Sequence, residues 1–240
     1  DKSTGVGYAT FGVYLSPSNE AGVNVCPHAS KGCRASCLGH ASGLMRMPTH
    51  KVRRIKRALW FHLYRDNFMA QLGRELQAFI METKAKSIRN PDEPLIPTVR
   101  LNGSSGVYWE QIPYSDETGD YPNIMARFPD VKFYDYTKAP RDKRPTTPDN
   151  YSLTFSIDER KSSIRRGIQW LQDGANVSLV VRNRRKLDEY LTSGIGGFPC
   201  LDGDKHDVRH LDPLGHIVLL EAKGGAKKDT TGFVYDNLPF

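Results

Sequence analysis

Beyond residue 96 the chain repeatedly sets a short apolar run against a longer polar or amphipathic stretch. The runs are PTVRLNG, VKFYDYT, YSLTFSID, VSLVV and HIVLLEAKG, and an earlier one, YATFGVYL, spans residues 8–15. Their β-branched and aromatic content predicts strands, and their apolar character predicts burial in a parallel sheet. The longest helical signal runs over residues 49–86, where Val52, Ile55, Leu59, Leu63, Leu72, Leu76, Phe79 and Ile80 approximate an i, i+3, i+4 stripe. A break is expected near Asp66, and three prolines between residues 90 and 97 end the helix. Further helices are expected over residues 120–128, 158–172 and 183–191. Strands alternating with helices predict an α/β fold, either an open sheet or a (βα) barrel. The reading adopted is a single domain over residues 1–240. It is a TIM-like or incomplete barrel with a metal-bound N-terminal loop at residues 25–45.

Several runs end in polar residues: Arg100 and Asn102; Asp135, Thr137 and Lys138; Asp158 and Glu159; Arg182; Lys223. Polar groups gathered at the carboxyl ends of parallel strands are where sites form in such folds.

Composition narrows the class. With 38% hydrophobic and 25% charged residues the chain is globular rather than disordered. No run approaches the roughly 18 apolar residues of a membrane span, and no signal segment is visible, so a soluble cytoplasmic protein without a membrane partner is expected. The net charge of +7 favours polyanionic partners, nucleic acid first. Three of the four cysteines fall within twelve residues, a pattern of metal or catalytic thiols in a reducing compartment and not of a disulfide scaffold.

Those three are Cys26, Cys33 and Cys37 in CPHASKGCRASCLGH. Ligands close together on one loop lower the entropic cost of assembling a site. The expected fourth ligand is His40, with His28 and distant Cys200 as alternatives. Structural zinc and a three-cysteine iron-sulfur cluster with one open iron are both compatible with this spacing.

Arg53, Arg54, Lys56 and Arg57 interleave with Val52 and Ile55, predicting an inward apolar side and an outward phosphate-binding side. Trp60, Phe61 and Tyr64 follow, as core or as stacking groups. In the block CLDGDKHDVRHLDPLGH, Asp204 is a candidate acid and Arg209 an anion clamp, with Lys223 close behind in a glycine-rich basic loop. In RLNGSSG, Asn102 could read a base edge. In FYDYTK, Asp135 and Lys138 offer a carboxylate among aromatics and a cation at a strand end.

Taken in order, CPHASKGCRASCL, RLNGSSG, FYDYTK, DGDKHDVRHLDP and EAKGGAKKDTTGF resemble a family of phage and mobile-element proteins over most of the chain. The family pattern carries an acidic residue where this chain has Gly106. The expected barrel, cysteine site and phage context also look similar to the tRNA-guanine transglycosylase superfamily and its DNA-acting branch, although those zinc ligands lie late in the chain. That likeness implies chemistry at the base N-glycosidic bond.

The expected function is therefore a glycosylase or transglycosylase acting on a base flipped out of duplex DNA, a modified base in phage DNA being favoured. Asp135 or Asp204 would stabilise the C1′ cation, Asn102 and Lys138 would hold the base or its phosphates, and the metal would be structural. The alternatives are an iron-sulfur or radical-type nucleic-acid-modifying enzyme, and a non-catalytic nucleic-acid-binding module.

Overall fold

The computed structural model describes residues 2–41 and 43–236. In chain order the first half comprises β1 (Tyr8–Gly12), the short helices α1 (Lys31–Ala35) and α2 (Leu38–Ala41), then α3 (Pro48–Leu63) and α4 (Arg65–Arg89). β2 (Ile96–Arg100), the hairpin β3 (Tyr114–Asp116) and β4 (Gly119–Tyr121), α5 (Ile124–Arg127) and β5 (Lys132–Thr137) follow. The second half is β6 (Tyr151–Ser156), α6 (Lys161–Gln172), β7 (Val177–Val181), α7 (Arg184–Ser193), β8 (Cys200–Asp202), β9 (Ile217–Glu221) and β10 (Val234–Tyr235).

Every pairing in the main sheet is parallel, in the order β1-β2-β5-β6-β7-β9-β8. The first five strands enter in sequence order, as in a barrel. The winding then reverses: β9 inserts between β7 and β8, leaving β1 and β8 as the two edges of an open sheet. A closed barrel is thus replaced by an open one-sheet arrangement. β6 pairs with β7 only through Phe155 and Ser156, and β10 takes over that edge at Val180 and Val181.

The register separates two unlike faces. Val99, Phe133, Tyr151, Phe155, Val177, Leu179, Ile217 and Leu219 share one face, which α4, α6 and α7 cover to form the core. The opposite face carries Thr10, Thr98, Arg100, Tyr134, Tyr136, Thr154, Ser156 and Ser178. The strands are therefore not apolar on both sides, as their runs had implied. Over the amino-terminal half of this polar face lies the 205–216 segment, where His210 packs edge-on to Tyr8 and against Tyr134. Its carboxyl-terminal half is open.

The expected long helix is two. Tyr64, at φ −135° and ψ 59°, interrupts it, two residues before the expected break. In α3 the buried stripe is Arg54, Ala58 and Phe61, whereas Val52 is 49% exposed. The i, i+4, i+7 spacing through Ala58 sets the inner face, and it turns Val52 outward and Arg54 inward.

Candidate functional site

The carboxyl ends of β2, β5, β6, β7 and β9 meet the cysteine segment around a cavity of about 330 Å³. Cys26, Cys33 and Cys37 all line it. The lining also includes Arg100, Lys138 and Lys223, with Tyr136, Ser156, Ser178 and Phe233 and the carboxylates Asp204 and Asp207. Parallel strands direct their last residues to one end of the sheet, which explains how residues spread over more than 190 positions share one wall.

The cysteine segment has little regular structure and is fixed by side chains. Glu159 accepts hydrogen bonds from Ser30 Oγ at 2.7 Å and from the Gly32 nitrogen at 2.9 Å. Ser30 in turn caps α1 by accepting from the Cys33 nitrogen. Arg160 donates to the His28 carbonyl at 2.8 Å, and Ser36 donates to Asp229 at 3.3 Å. Gly32 is required by proximity: a Cβ there would lie 2.3 Å from Thr231 Oγ1 and 2.6 Å from Phe233 Cβ.

Burial pushes the Cys26 thiol up to about 11, opposed by the Ser18 backbone amide. Burial also raises Cys33 and Cys37, although the Lys138 ammonium acts in the opposite direction on Cys33. The thiols are therefore neutral at pH 7 unless a cation binds them, since the thiolate is the ligating form. Among the described residues no three His, Cys, Asp or Glu side chains are grouped closely enough to hold a metal ion. Lys138 is lowered by burial despite its neighbours Cys33 and Asp158; it donates to the Ser156 carbonyl at 2.9 Å and hydroxyl at 3.0 Å. Burial tends to raise Asp204, but the Lys223 ammonium and the Glu221 amide outweigh it, so this carboxyl lies below its usual range.

Among the residues singled out from sequence, Cys26, Cys33, Cys37, Asn102, Lys138, Asp204 and Lys223 come together at this cavity. Asn102 lines it, yet its amide is engaged internally: Oδ1 accepts from Ser105, Val107 and Trp109, and Nδ2 donates to Val107 and Asp135. It shapes the turn and has no amide atom left for a base. Asp135 lies on the core face, fully buried, and does not line the cavity. His40 sits 3.4 Å from Glu20 as a possible ion partner. Cys200, on β8 under α7, packs against the core and does not line the cavity, so it is no candidate fourth ligand. His28 does line the cavity, hydrogen-bonded to Tyr108.

Of the basic residues, Arg53, Lys56 and Arg57 are exposed on α3. Arg54 instead donates to the Met45 carbonyl at 3.2 Å, and Arg209 is 2% exposed, bonding the His206 carbonyl and lying 3.3 Å from Asp212. Both are internal braces and cannot contact phosphate as they stand. A charge signal beyond the α3 cluster is also present. Residues 21–65 contain nine Lys and Arg and no Asp or Glu, so the cysteine segment and α3 form one acid-free basic stretch.

The polar face contributes groups that the runs concealed, above all Ser156 and Ser178. For Ser156, the alternation of polar and apolar residues in YSLTFS, at period two, is the signal that would have found it.

No curated protein and no solved structure matches this chain. The family sequence model described as Gene product 88 matches residues 2–237, nearly the whole chain and every segment that builds the cavity, and agrees with the phage-type resemblance of its motifs. The protein belongs to the Gene product 88 family.

Proposed function

We propose that the protein is a nucleic-acid-modifying enzyme in which Cys26, Cys33 and Cys37 hold an iron-sulfur cluster at the wall of the cavity. The observation that carries this reading is that three half-buried thiols with raised pKa values line one cavity that also presents Arg100, Lys138 and Lys223. A single tetrahedral zinc needs sulfurs on bonds of ~2.3 Å, hence nearly touching one another. A cluster binds each sulfur to a different iron and so tolerates sulfurs farther apart than a single ion does. Three cysteines leave one iron open to a substrate or cofactor, and such a cluster supplies one-electron chemistry when bound.

The chain's own residues supply the rest. Lys138 and Arg100 offset the negative charge of ligated thiolates and of an anionic substrate. Glu159, Arg160 and Asp229 hold the cysteine segment against β10 and the carboxyl end of β6. The acid-free stretch over residues 21–65 adds an electrostatic approach for a polyphosphate backbone to the rim, with Arg53, Lys56 and Arg57 outermost. A flipped nucleotide fits the scale of the cavity.

Base release at the glycosidic bond is the second reading, favoured by the ionised Asp204 in the cavity. Of the two alternative acids Asp135 and Asp204, Asp204 is in the cavity, with Asp207 beside it in the lining, whereas Asp135 lies behind the sheet.

Both readings are tested by incubating anaerobically prepared protein, with and without chemical reductant, with DNA and RNA and analysing nucleosides and free bases by mass spectrometry. A reductant-dependent altered nucleoside, lost in Cys33→Ala, supports the first. A free base or abasic site that is insensitive to reductant and lost in Asp204→Asn supports the second and overturns the first. No product with either nucleic acid overturns both.

A further inference from the structure

Arg100 is the last residue of β2, and its side chain rises from the polar face of the sheet into the cavity. The other two cavity cations have partners. Lys138 bonds Ser156 and lies 3.8 Å from Asp158, and Lys223 is paired with Asp204. Arg100 has none of this kind among the described residues: no carboxylate is within ion-pairing distance, and its Nε is buried without a hydrogen-bond partner. Its guanidinium lies over the Tyr136 ring, 5.1 Å from the centroid, a contact that does not use its donors.

Among the described residues no carboxylate makes direct contact with this partly buried guanidinium; Asp135 acts on it only at longer range from the core side of the sheet, so an arriving anion is its first direct ion partner. The planar fork matches two oxygens of one group at once.

We infer that Arg100 is the anchor of the cavity's ligand, receiving a carboxylate or phosphate group bidentately while its guanidinium rests on the Tyr136 ring. The ligand is therefore an oxyanion-bearing molecule whose charged end lies at β2 and whose remainder extends toward the cysteines. The inference rests on the reading above only in placing the substrate in this cavity; it does not require the cluster.

The test is thermal unfolding of the full chain in chloride, acetate and inorganic phosphate at matched ionic strength, with iron content measured on the same samples. Acetate or phosphate should raise the midpoint of the wild type by several degrees over chloride, and whichever acts identifies the group as carboxylate or phosphate. Arg100→Met should abolish the rise, and Arg100→Lys, a point charge without the fork, should keep only part of it. A rise that persists in Arg100→Met, or no rise for any anion in the wild type, overturns the inference. If Arg100→Met does not fold, a rise in Arg100→Lys equal to that of the wild type overturns it equally. An anion effect in iron-free protein keeps the anchor and removes the cluster; iron without an anion effect does the reverse.

Discussion

Asp135 Oδ1 accepts a hydrogen bond from the Asn102 backbone nitrogen at 2.7 Å, joining β5 to the turn that follows β2 from the core side of the sheet. Its second oxygen accepts from Tyr151 Oη at 2.8 Å and from Asn102 Nδ2 at 3.2 Å. The RLNGSSG turn, and with it the Ser104 and Ser105 wall of the cavity, is thus set by a carboxylate that never meets the ligand. Asp135→Ala leaves a buried amide and a buried hydroxyl without an acceptor and is expected to lower stability by about 3 kcal/mol. Urea unfolding checks this; a change within about 0.5 kcal/mol contradicts the bracing role.

Glu159 does for the cysteine segment what Asp135 does for the turn. Glu159→Ala removes the acceptor of Ser30 Oγ and the Gly32 nitrogen. Amide hydrogen exchange across residues 30–37 is expected to speed up by at least tenfold, a local loss of about 1.4 kcal/mol. Glu159→Gln should restore part of the protection through its remaining oxygen. Unchanged exchange in the alanine variant contradicts this anchor.

The α3 arginines divide by role. Removing Arg53, Lys56 and Arg57 together should reduce the slope of log Kobs against log salt for a DNA duplex by about 2–3, since each phosphate contact contributes roughly 0.9. Arg54→Ala should leave that slope unchanged and lower stability by about 1–3 kcal/mol, because its donors serve Met45 in the interior. Fluorescence anisotropy over a salt series separates the two; an unchanged slope in the triple variant removes α3 from the interface.

His210 carries a pH dependence. Burial, with Lys132 and His206 nearby, holds it down to about 4, and neither ring nitrogen has a hydrogen-bond partner among the described residues. A depressed imidazole favours the folded state fully above the unfolded value of about 6.5. As pH falls from there toward 4 the unfolded chain takes the proton first, so stability is lost across that window. The stability difference between wild type and His210→Phe should therefore be constant above pH ~7 and shift in favour of the variant by about 2 kcal/mol on reaching pH ~4. A difference independent of pH contradicts the buried neutral imidazole.

The strands and the principal helices were legible because period and composition are local properties: VSLVV and HIVLLE are β7 and β9 with their flanks. The order of the sheet was not, because the insertion of β9 between β7 and β8 depends on long-range pairing that no local pattern encodes. Lys138 and Lys223 could be gathered from the rule that polar residues converge at strand ends, the cysteines from their spacing and Asp204 from its charged block. Asp135 could not be placed correctly, since one step along a strand moves a side chain from cavity to core. Arg54 and Arg209 look in sequence like phosphate-binding arginines, and only packing reveals them as braces.

The cluster proposed at Cys26, Cys33 and Cys37 would stand at the wall of a cationic cavity. Its most direct test is iron, acid-labile sulfide and zinc analysis of anaerobically purified protein, with its absorbance at about 400 nm. Iron and sulfide are expected in comparable amounts, in a brown protein that loses both the colour and the iron in Cys33→Ala. Zinc in place of iron, or iron retained when Cys26, Cys33 and Cys37 are all replaced, would contradict it.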